Sequence, residues 1–301
     1  VMDLSNVFAK LQPDLVITIA DRFETLATSI ASSYQNIPLA HIQGGEVTGS
    51  IDEKVRHANT KLADLHLVAT EEAKKRVLKL GENINSVFNV GCPSIDIAHE
   101  LDAKGSLDFD PFKKYKGVGK KLFLDNGYLV VMQHPVTTEF KDSKEQVMET
   151  IDAIHQLNMP TLWFWPNIDT GSDGISNAIR IFREKNSNSN IHFFKNMYPD
   201  DFLKLLKNSL CLVGNSSVGI RESAFIGVPV VNIGSRQDNR ERANNVIDTD
   251  YESSQIFKAI KTQIQHGHYK SDFLYGNGNA CNKIVDILAK WELSYSKTIA
   301  Y

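Results

Sequence analysis

Short apolar segments rich in β-branched residues alternate along this chain with longer amphipathic segments. In the first part, apolar runs occupy residues 15–19, 39–42, 65–68 and 87–90. Segments with helical periodicity lie at about 22–34, 53–63 and 71–80, and another begins near Ser94. Apolar strands separated by helices are typical of a parallel sheet covered on both faces. We therefore predict an α/β fold.

The alternation lapses at residues 101–127, which are rich in Lys, Asp and Gly, and then resumes. Further strands are predicted at 128–132, 161–165, 191–195, 210–213 and 228–233, and further helices at about 144–156, 173–184, 199–206, 219–226, 251–264 and 279–291. A chain of 301 residues is long enough for two domains. We predict one Rossmann-like domain over 1–105, a second over 106–285, and a C-terminal segment, 286–301, that returns toward the first. Such domains bind ligands at the carboxyl ends of their strands, in a cleft between them.

Composition excludes several classes of function. A formal net charge of −3 gives no reason to expect a nucleic-acid partner. No apolar run approaches the roughly 18 residues that a membrane span requires. The three cysteines are far apart, which favours a reducing cytoplasm and excludes metal-site spacing. No P-loop, GxGxxG, HExxH or nucleophile-elbow motif is present.

The densest group of polar residues follows the second strand. It contains His41, Gln43, Glu46, Asp52 and Arg56, within HIQGGEVTGSIDEKVRHA. Carboxylates beside an arginine suit proton abstraction next to a charged leaving group. The alternative is a tight turn followed by a helix with acidic residues at its N-terminus.

Asp21 and Arg22 directly follow the first strand. An acid at this position can act as a base or orient one. It can equally be the N-cap of the next helix, and the residues alone do not decide between these roles.

In the second half, polar residues again follow strands. His134 can donate to a phosphate oxygen, although Pro135 alone would also explain a rigid loop there. Asn167 can bind a base or sugar, but its Pro-Asn-Ile-Asp-Thr-Gly context favours a simple turn.

The segment GNSSVGIRE supplies Ser216, Ser217 and Glu222. Small residues at a helix N-terminus form an anion site, and Glu222 can accept the hydroxyls of a ribose. A serine N-cap is the alternative. Arg236, in GSRQ, can clamp a phosphate or lie in a charged surface loop.

Together these segments resemble the UDP-N-acetylglucosamine 2-epimerase family, and most of all its hydrolysing branch, which makes N-acetylmannosamine or a related sugar for sialic-acid-type synthesis. The resemblance covers nearly the whole chain and rests on six segments: DR at 21–22, HIQGGEVTGSIDEKVRHA at 41–58, QHPVTT at 133–138, PNID at 166–169, GNSSVGIRE at 214–222 and GSRQ at 234–237. It implies two Rossmann-like domains in the GT-B arrangement, no metal, no redox cofactor, and a cytoplasmic homodimer.

The implied reaction removes the proton at C2 of UDP-N-acetylglucosamine, or of a 2,4-diacetamido relative, eliminates UDP to give a glycal, and adds water with inversion at C2. By resemblance, the 1–105 domain acts on the sugar and the 106–285 domain binds UDP. The implied site residues are then, on the catalytic side, Asp21, Gln43, Glu46, Asp52 and Arg56, and, on the substrate side, Arg22, His41, His134, Asn167, Ser216, Ser217, Glu222 and Arg236.

The chain departs from the family pattern at two places. Family members usually carry glutamate where this chain has Gln43, and glutamine cannot accept a proton at neutral pH. The base role then passes to Asp21, Glu46 or Asp52, or Gln43 marks a subfamily with another sugar. The family also opens with a strand and a Gly-Ser/Thr-Arg loop that touches the phosphates. That segment does not precede Val1 in this sequence, so we expect an N-terminally incomplete first domain.

Three functions agree with these residues. The first is the hydrolysing epimerase. The second is a nucleotide-sugar glycosyltransferase of the GT-B class, which would keep the UDP contacts but would not need the acids between Glu46 and Asp52. The third is a non-catalytic nucleotide-sugar binder, which Gln43 makes plausible.

Overall fold

The computed structural model describes residues 1–48, 52–101, 106–294 and 296–300. The strands in this part of the chain are β1 (Val16–Ile19), β2 (Leu39–Ile42), β3 (Leu65–Val68), β4 (Val87–Asn89), β5 (Leu129–Met132), β6 (Thr161–Phe164), β7 (Ile191–Phe194), β8 (Cys211–Gly214), β9 (Val230–Ile233) and β10 (Val246–Thr249). Its α-helices are α1 (Met2–Leu11), α2 (Phe23–Ser33), α3 (Asp52–Leu62), α4 (Glu71–Lys79), α5 (Pro93–Glu100), α6 (Pro111–Tyr115), α7 (Ser143–Leu157), α8 (Ser172–Lys185), α9 (Pro199–Lys207), α10 (Glu222–Ile226), α11 (Ser253–His266) and α12 (Ala280–Leu288).

The chain divides into two compact units. The first comprises Val1–Ile97 and the chain from Tyr275 onward, and the second comprises Ala98–Leu274. The second unit therefore begins at Ala98, where residue 106 was predicted, and ends at Leu274, where residue 285 was predicted. Both units have the predicted α/β fold, in which parallel strands alternate with helices.

The first unit contains a four-stranded parallel sheet in the order β1-β2-β3-β4. Strands β2 and β3 are buried along their whole length, and Ala40 and Leu67 pack in one cluster with Ile284 of α12. At the edge of this sheet, β1 alternates instead, so that Ile17 and Ile19 are exposed. The sheet therefore presents the carboxyl ends of four neighbouring strands on one side.

The second unit contains a six-stranded parallel sheet in the order β10-β9-β8-β5-β6-β7. Chain order reverses where β8 lies beside β5. Ligands bind at such switch points in open α/β sheets, because the loops that follow the two strands run in opposite directions. Trp163 and Phe193, both buried, anchor one core of this unit against α7 and α8.

Three local predictions were wrong. No strand was predicted at β10, because this edge strand is only half-buried and contains Asp248, which pairs with Arg242. The segment 101–127, in which no element was predicted, contains α6, which Asp110 caps and Pro111 begins. The helix expected at 219–226 starts at Glu222, and a 3₁₀ turn precedes it.

In the part of the chain that the structure describes, helices are too short or too polar to traverse a lipid bilayer.

Candidate active site

An ion pair joins two of the predicted catalytic residues in the first unit. Asp21 follows β1, and Arg56 projects from the second turn of α3. The Arg56 guanidinium donates to Oδ2 of Asp21. The Arg56 side chain is fully buried, whereas that of Asp21 is 18% exposed. A buried cation requires such a partner, so the ion pair joins α3 to the loop that follows β1. The carboxylate is the partly exposed member of the pair.

Gln43 follows β2 in a strained conformation, because its φ of +65° lies in the left-handed region. Its side chain is buried, and Nε2 donates to Sγ of Cys92 at 2.9 Å. Cys92 Sγ also lies 3.0 Å from Oγ of Ser94. Cys92 was not among the predicted site residues, although it closely follows a strand, as the selected residues do. Asp21, Gln43 and Cys92 thus follow β1, β2 and β4 of the same parallel sheet.

The acids of the same motif lie nearby in sequence. Glu46 is buried, and Asp52 and Glu53 form the first turn of α3. Glu53 accepts a hydrogen bond from the backbone N–H of Thr48 at 3.3 Å. Residues 49–51 of the motif lie outside the described residues.

Two predicted substrate contacts in this unit have protein partners. Arg22 is about half exposed and pairs with Glu24 at 3.2 Å. His41 is fully buried: Nε2 lies 3.0 Å from the carbonyl oxygen of Ala20, and Nδ1 lies 3.2 Å from Oγ1 of Thr60. Burial lowers the pKa of His41 to about 3, so the ring is neutral. Since a carbonyl only accepts, Nε2 carries the proton and Nδ1 accepts from Thr60. Both ring nitrogens are engaged within the unit, which suits a positioning residue better than a ligand contact.

In the second unit, hydrogen bonds between His134 and Asn215 join the ends of β5 and β8 at the switch point. Oδ1 of Asn215 accepts from the backbone N–H of His134 at 2.7 Å, and Nδ2 donates to the His134 carbonyl at 2.9 Å. Asn215 is fully buried. The sequence alone gives Asn215 no role, because its partner is 81 residues away. Its two hydrogen bonds to the backbone of His134 mean that the GNSS segment does more than cap the turn that follows.

The loop that follows β9 also contacts Asn215. Arg236 donates to the carbonyl oxygen of Asn215 at 3.2 Å, and Gln237 donates to it at 2.8 Å. His134, Asn215 and Arg236 are therefore brought together by three strand ends, at the positions where motifs were predicted.

Ser216, Ser217 and Glu222 lie on the turn that follows β8. Ser216 caps the 3₁₀ turn Ser217–Gly219, and its Oγ accepts from the N–H of Val218. Oε2 of Glu222 is buried and has no hydrogen-bond partner among the described residues. A buried carboxylate oxygen without a donor is suited to accept from a ligand hydroxyl.

A cavity of about 850 Å³ opens at the carboxyl ends of β5, β6 and β7. His134 and Asn167 line it, with Trp165 and Phe164 among its apolar residues. The volume is sufficient for a small-molecule ligand.

Comparison with known proteins identifies the family. A sequence model of the UDP-N-acetylglucosamine 2-epimerase family matches residues 1–289. The chain is 34% identical, over 287 residues, to the hydrolysing UDP-N,N'-diacetylbacillosamine 2-epimerase of Legionella pneumophila, covering 95% of this chain and 74% of the relative. It is 32% identical, over 277 residues, to the UDP-N-acetylglucosamine 2-epimerase of Neisseria meningitidis, covering 92% and 70%.

A solved structure shows the same fold. It is that of Methanocaldococcus jannaschii UDP-GlcNAc 2-epimerase in complex with UDP-GlcNAc and UDP, and it matches with a TM-score of 0.77 at 19% identity, over 96% of this chain and 79% of that one. The family match over residues 1–289, together with these relatives, shows that this chain belongs to the UDP-N-acetylglucosamine 2-epimerase family.

Proposed function

We propose that this chain is a hydrolysing nucleotide-sugar 2-epimerase, which converts UDP-N-acetylglucosamine or a 2,4-diacetamido analogue into the free 2-epimeric sugar and UDP. The observation that carries the proposal is the ion pair at the carboxyl ends of the first sheet between Asp21 and Arg56, whose 41–58 segment also supplies Glu46 and Asp52. A site that only binds a nucleotide would not need these acids. The hydrolysing subtype is supported by the name of the Legionella relative.

In the proposed reaction, a carboxylate of the first unit takes the proton from C2. The electrons of the C2–H bond form the C1–C2 double bond, and the C1–O bond breaks, with its electron pair leaving on UDP. Water then supplies hydroxide to C1 and a proton to the opposite face of C2. The carboxylate then releases the proton that it took from C2 to solvent or to UDP, so the balance is nucleotide sugar plus water to epimeric sugar plus UDP.

Asp21 is the carboxylate assigned to acid–base work, and the 41–58 segment supplies Glu46 and Asp52 as further acids. The Arg56 guanidinium holds the Asp21 carboxylate in place through a charge-assisted hydrogen bond. Gln43 is assigned a hydrogen-bonding role toward the sugar, because an amide cannot act as the base.

The second unit is proposed to bind UDP. Nε2–H of the neutral His134, the hydroxyls of Ser216 and Ser217, and the guanidinium of Arg236 supply donors for the diphosphate. The buried Oε2 of Glu222 is assigned to the ribose hydroxyls. Asn167, on the wall of the cavity, is assigned a place beside the nucleoside. By family likeness, we propose that the enzyme acts as a homodimer in the cytoplasm and contributes to sialic-acid-type sugar synthesis.

The test is incubation of the protein with UDP-N-acetylglucosamine in deuterated water. Free N-acetylmannosamine with deuterium at C2, together with stoichiometric UDP, is the expected result. The same assay with the 2,4-diacetamido substrate compares kcat/KM and identifies the sugar.

Two results would contradict the proposal. Release of UDP only when an acceptor sugar is added would indicate a glycosyltransferase. Binding of UDP without turnover of either sugar would indicate a non-catalytic binder.

A further inference from the structure

The buried face of α3 is polar. Arg56, Asn59 and Thr60 occupy positions i, i+3 and i+4, so they lie on one face of the helix, and all three are fully buried. A helix that packs on a sheet normally buries an apolar stripe there. Burying polar groups is costly unless each has a partner, so the contacts of these three residues need an explanation.

Arg56 and Asn59 contact the segment that follows β1, and Thr60 is linked to it through His41. Arg56 binds the carboxylate of Asp21, as described above. Nδ2 of Asn59 donates to the carbonyl oxygen of Ala20 at 3.2 Å. Thr60 binds His41, whose Nε2 donates to the same carbonyl oxygen at 3.0 Å. One carbonyl thus accepts two side-chain hydrogen bonds immediately before Asp21.

Ala20 is held in an unfavourable conformation. Its φ is +61°, in the left-handed region, where a residue with a Cβ is disfavoured. Strain of this kind persists only when surrounding contacts enforce it, and it clusters at functional sites. The two hydrogen bonds to the Ala20 carbonyl are the contacts that enforce it.

The supporting groups are themselves fixed. Oγ of Ser29 donates to Oδ1 of Asn59 at 2.8 Å, which orients the amide so that Nδ2 faces Ala20. A Cβ on Gly44 would lie 3.0 Å from both Nδ1 of His41 and Oγ1 of Thr60, so the loop that contains Gln43 packs directly on this pair. The ring of His41 therefore connects the two loops to α3.

We propose that His41 and Asn59 are positioning residues, which hold the Ala20–Asp21 peptide so that the Asp21 carboxylate meets Arg56. The inference rests on the proposed function only for the role of Asp21 in turnover. It assigns to His41 and Asn59 no contact with substrate. It also explains why α3 buries polar residues where apolar ones would stabilise the fold more simply.

The test is Asn59→Ala in the intact protein, with steady-state kinetics and UDP affinity by calorimetry. We expect kcat to fall on the order of 10- to 100-fold, as for a misplaced catalytic group, with KM and the Kd for UDP nearly unchanged. Adding Ala20→Gly should restore part of kcat, because glycine adopts the left-handed conformation without steric cost. Asn282→Ala, on an exposed asparagine of α12, is the matched control.

Two outcomes would overturn the proposal: a normal kcat for Asn59→Ala, or loss of kcat that Ala20→Gly leaves unchanged. If Asn59→Ala does not fold, Ser29→Ala replaces it, since that change removes only the hydroxyl that orients the amide, and a smaller fall in kcat is expected.

Absence of turnover in the unmodified protein would count against the proposed function instead. The positioning role is then decided by a crystal structure of the Asn59→Ala protein. Departure of Ala20 from its positive φ supports the role, and an unchanged φ overturns it.

Discussion

The ring Nδ1 of His134 accepts a hydrogen bond from the backbone N–H of Asn167, with the two nitrogens 3.2 Å apart. Burial, and to a lesser extent the positive charge of Arg236, lowers the pKa of His134 to about 3. The ring is therefore neutral at physiological pH and carries its proton on Nε2. A neutral Nε2–H donor beside Arg236 can bind a phosphate oxygen without a change of protonation on binding.

The low pKa of His134 predicts acid sensitivity of the fold. In the unfolded chain, a histidine binds a proton below about pH 6.5, whereas folded His134 does so only near its pKa of about 3. Stability is therefore fully present above pH 6.5 and declines as the pH falls from there toward about 3, by up to about 1.4 kcal/mol per pH unit for such a histidine.

Urea unfolding between pH 7 and pH 5 measures this slope. His134→Asn keeps an acceptor for Asn167 and removes the titrating ring, so its slope should be smaller. His41, whose pKa burial also lowers to about 3, should keep part of the slope in that variant. Identical slopes for the two proteins would show that His134 titrates normally when folded.

Asp21→Asn should abolish most turnover while the fold and UDP binding persist. The amide keeps the size of the side chain but cannot take a proton, so kcat should fall by roughly 10² or more. The Kd for UDP should stay within several-fold, because the proposed UDP contacts lie in the other unit. Asp14→Asn is the matched control, since this exposed aspartate lies just before the amino end of the same strand. Normal turnover of Asp21→Asn would exclude the acid–base role.

The proposed ribose contact of Glu222 can be measured with two nucleotides. The unmodified protein should bind UDP roughly 10- to 100-fold more tightly than 2′-deoxy-UDP, since a hydrogen bond to a charged group contributes about 1.5–3 kcal/mol. Glu222→Gln should weaken UDP binding and reduce this ratio toward one. Calorimetric titration of both ligands gives all four constants. If Glu222→Gln weakens the binding of both nucleotides equally, the carboxylate does not bind the 2′-hydroxyl.

The sequence predicted much of the fold because local information specifies it. Buried parallel strands such as β2 and β3 are continuous apolar runs, and they are recognisable without knowledge of their partners. The motifs followed strands, so Asp21 and Gln43 were expected at one sheet edge and His134 at another. The ion pair between Asp21 and Arg56 was not among these expectations, because the sequence grouped Arg56 with Asp52 on the same helix.

The roles that sequence reasoning missed depend on distant partners. Asn215 acts on a backbone segment 81 residues away, and Asn59 acts on Ala20 from 39 residues away. Neither asparagine differs in pattern from an ordinary loop or helix residue. The resemblance implied a substrate-side role for His41. The positioning role proposed for it rests on its burial and its bonds to Ala20 and Thr60, which the sequence does not reveal.

Gly214 is the last residue of β8. Replacing it, and a control glycine, with alanine should separate the loss of stability caused by a steric clash from that caused by backbone strain. Its φ is +132°, and a Cβ there would lie 2.1 Å from the carbonyl oxygen of Met132. Gly267, the control, has a φ of +74° but open space around the same added atom. Gly267 also has a ψ of −167°, and this combination of angles is essentially restricted to glycine, so Gly267→Ala should cost about 1–3 kcal/mol from backbone strain alone.

Gly214→Ala should destabilise the protein by roughly 3 kcal/mol or more, because backbone atoms of β5 must move as well. That movement would displace Asn215, whose backbone N–H donates to the same carbonyl of Met132 at 3.0 Å. UDP affinity should then fall for Gly214→Ala and stay unchanged for Gly267→Ala. Thermal unfolding and UDP titration of both variants check this. Equal losses of stability would mean that the approach of Gly214 to Met132 is not what requires glycine there.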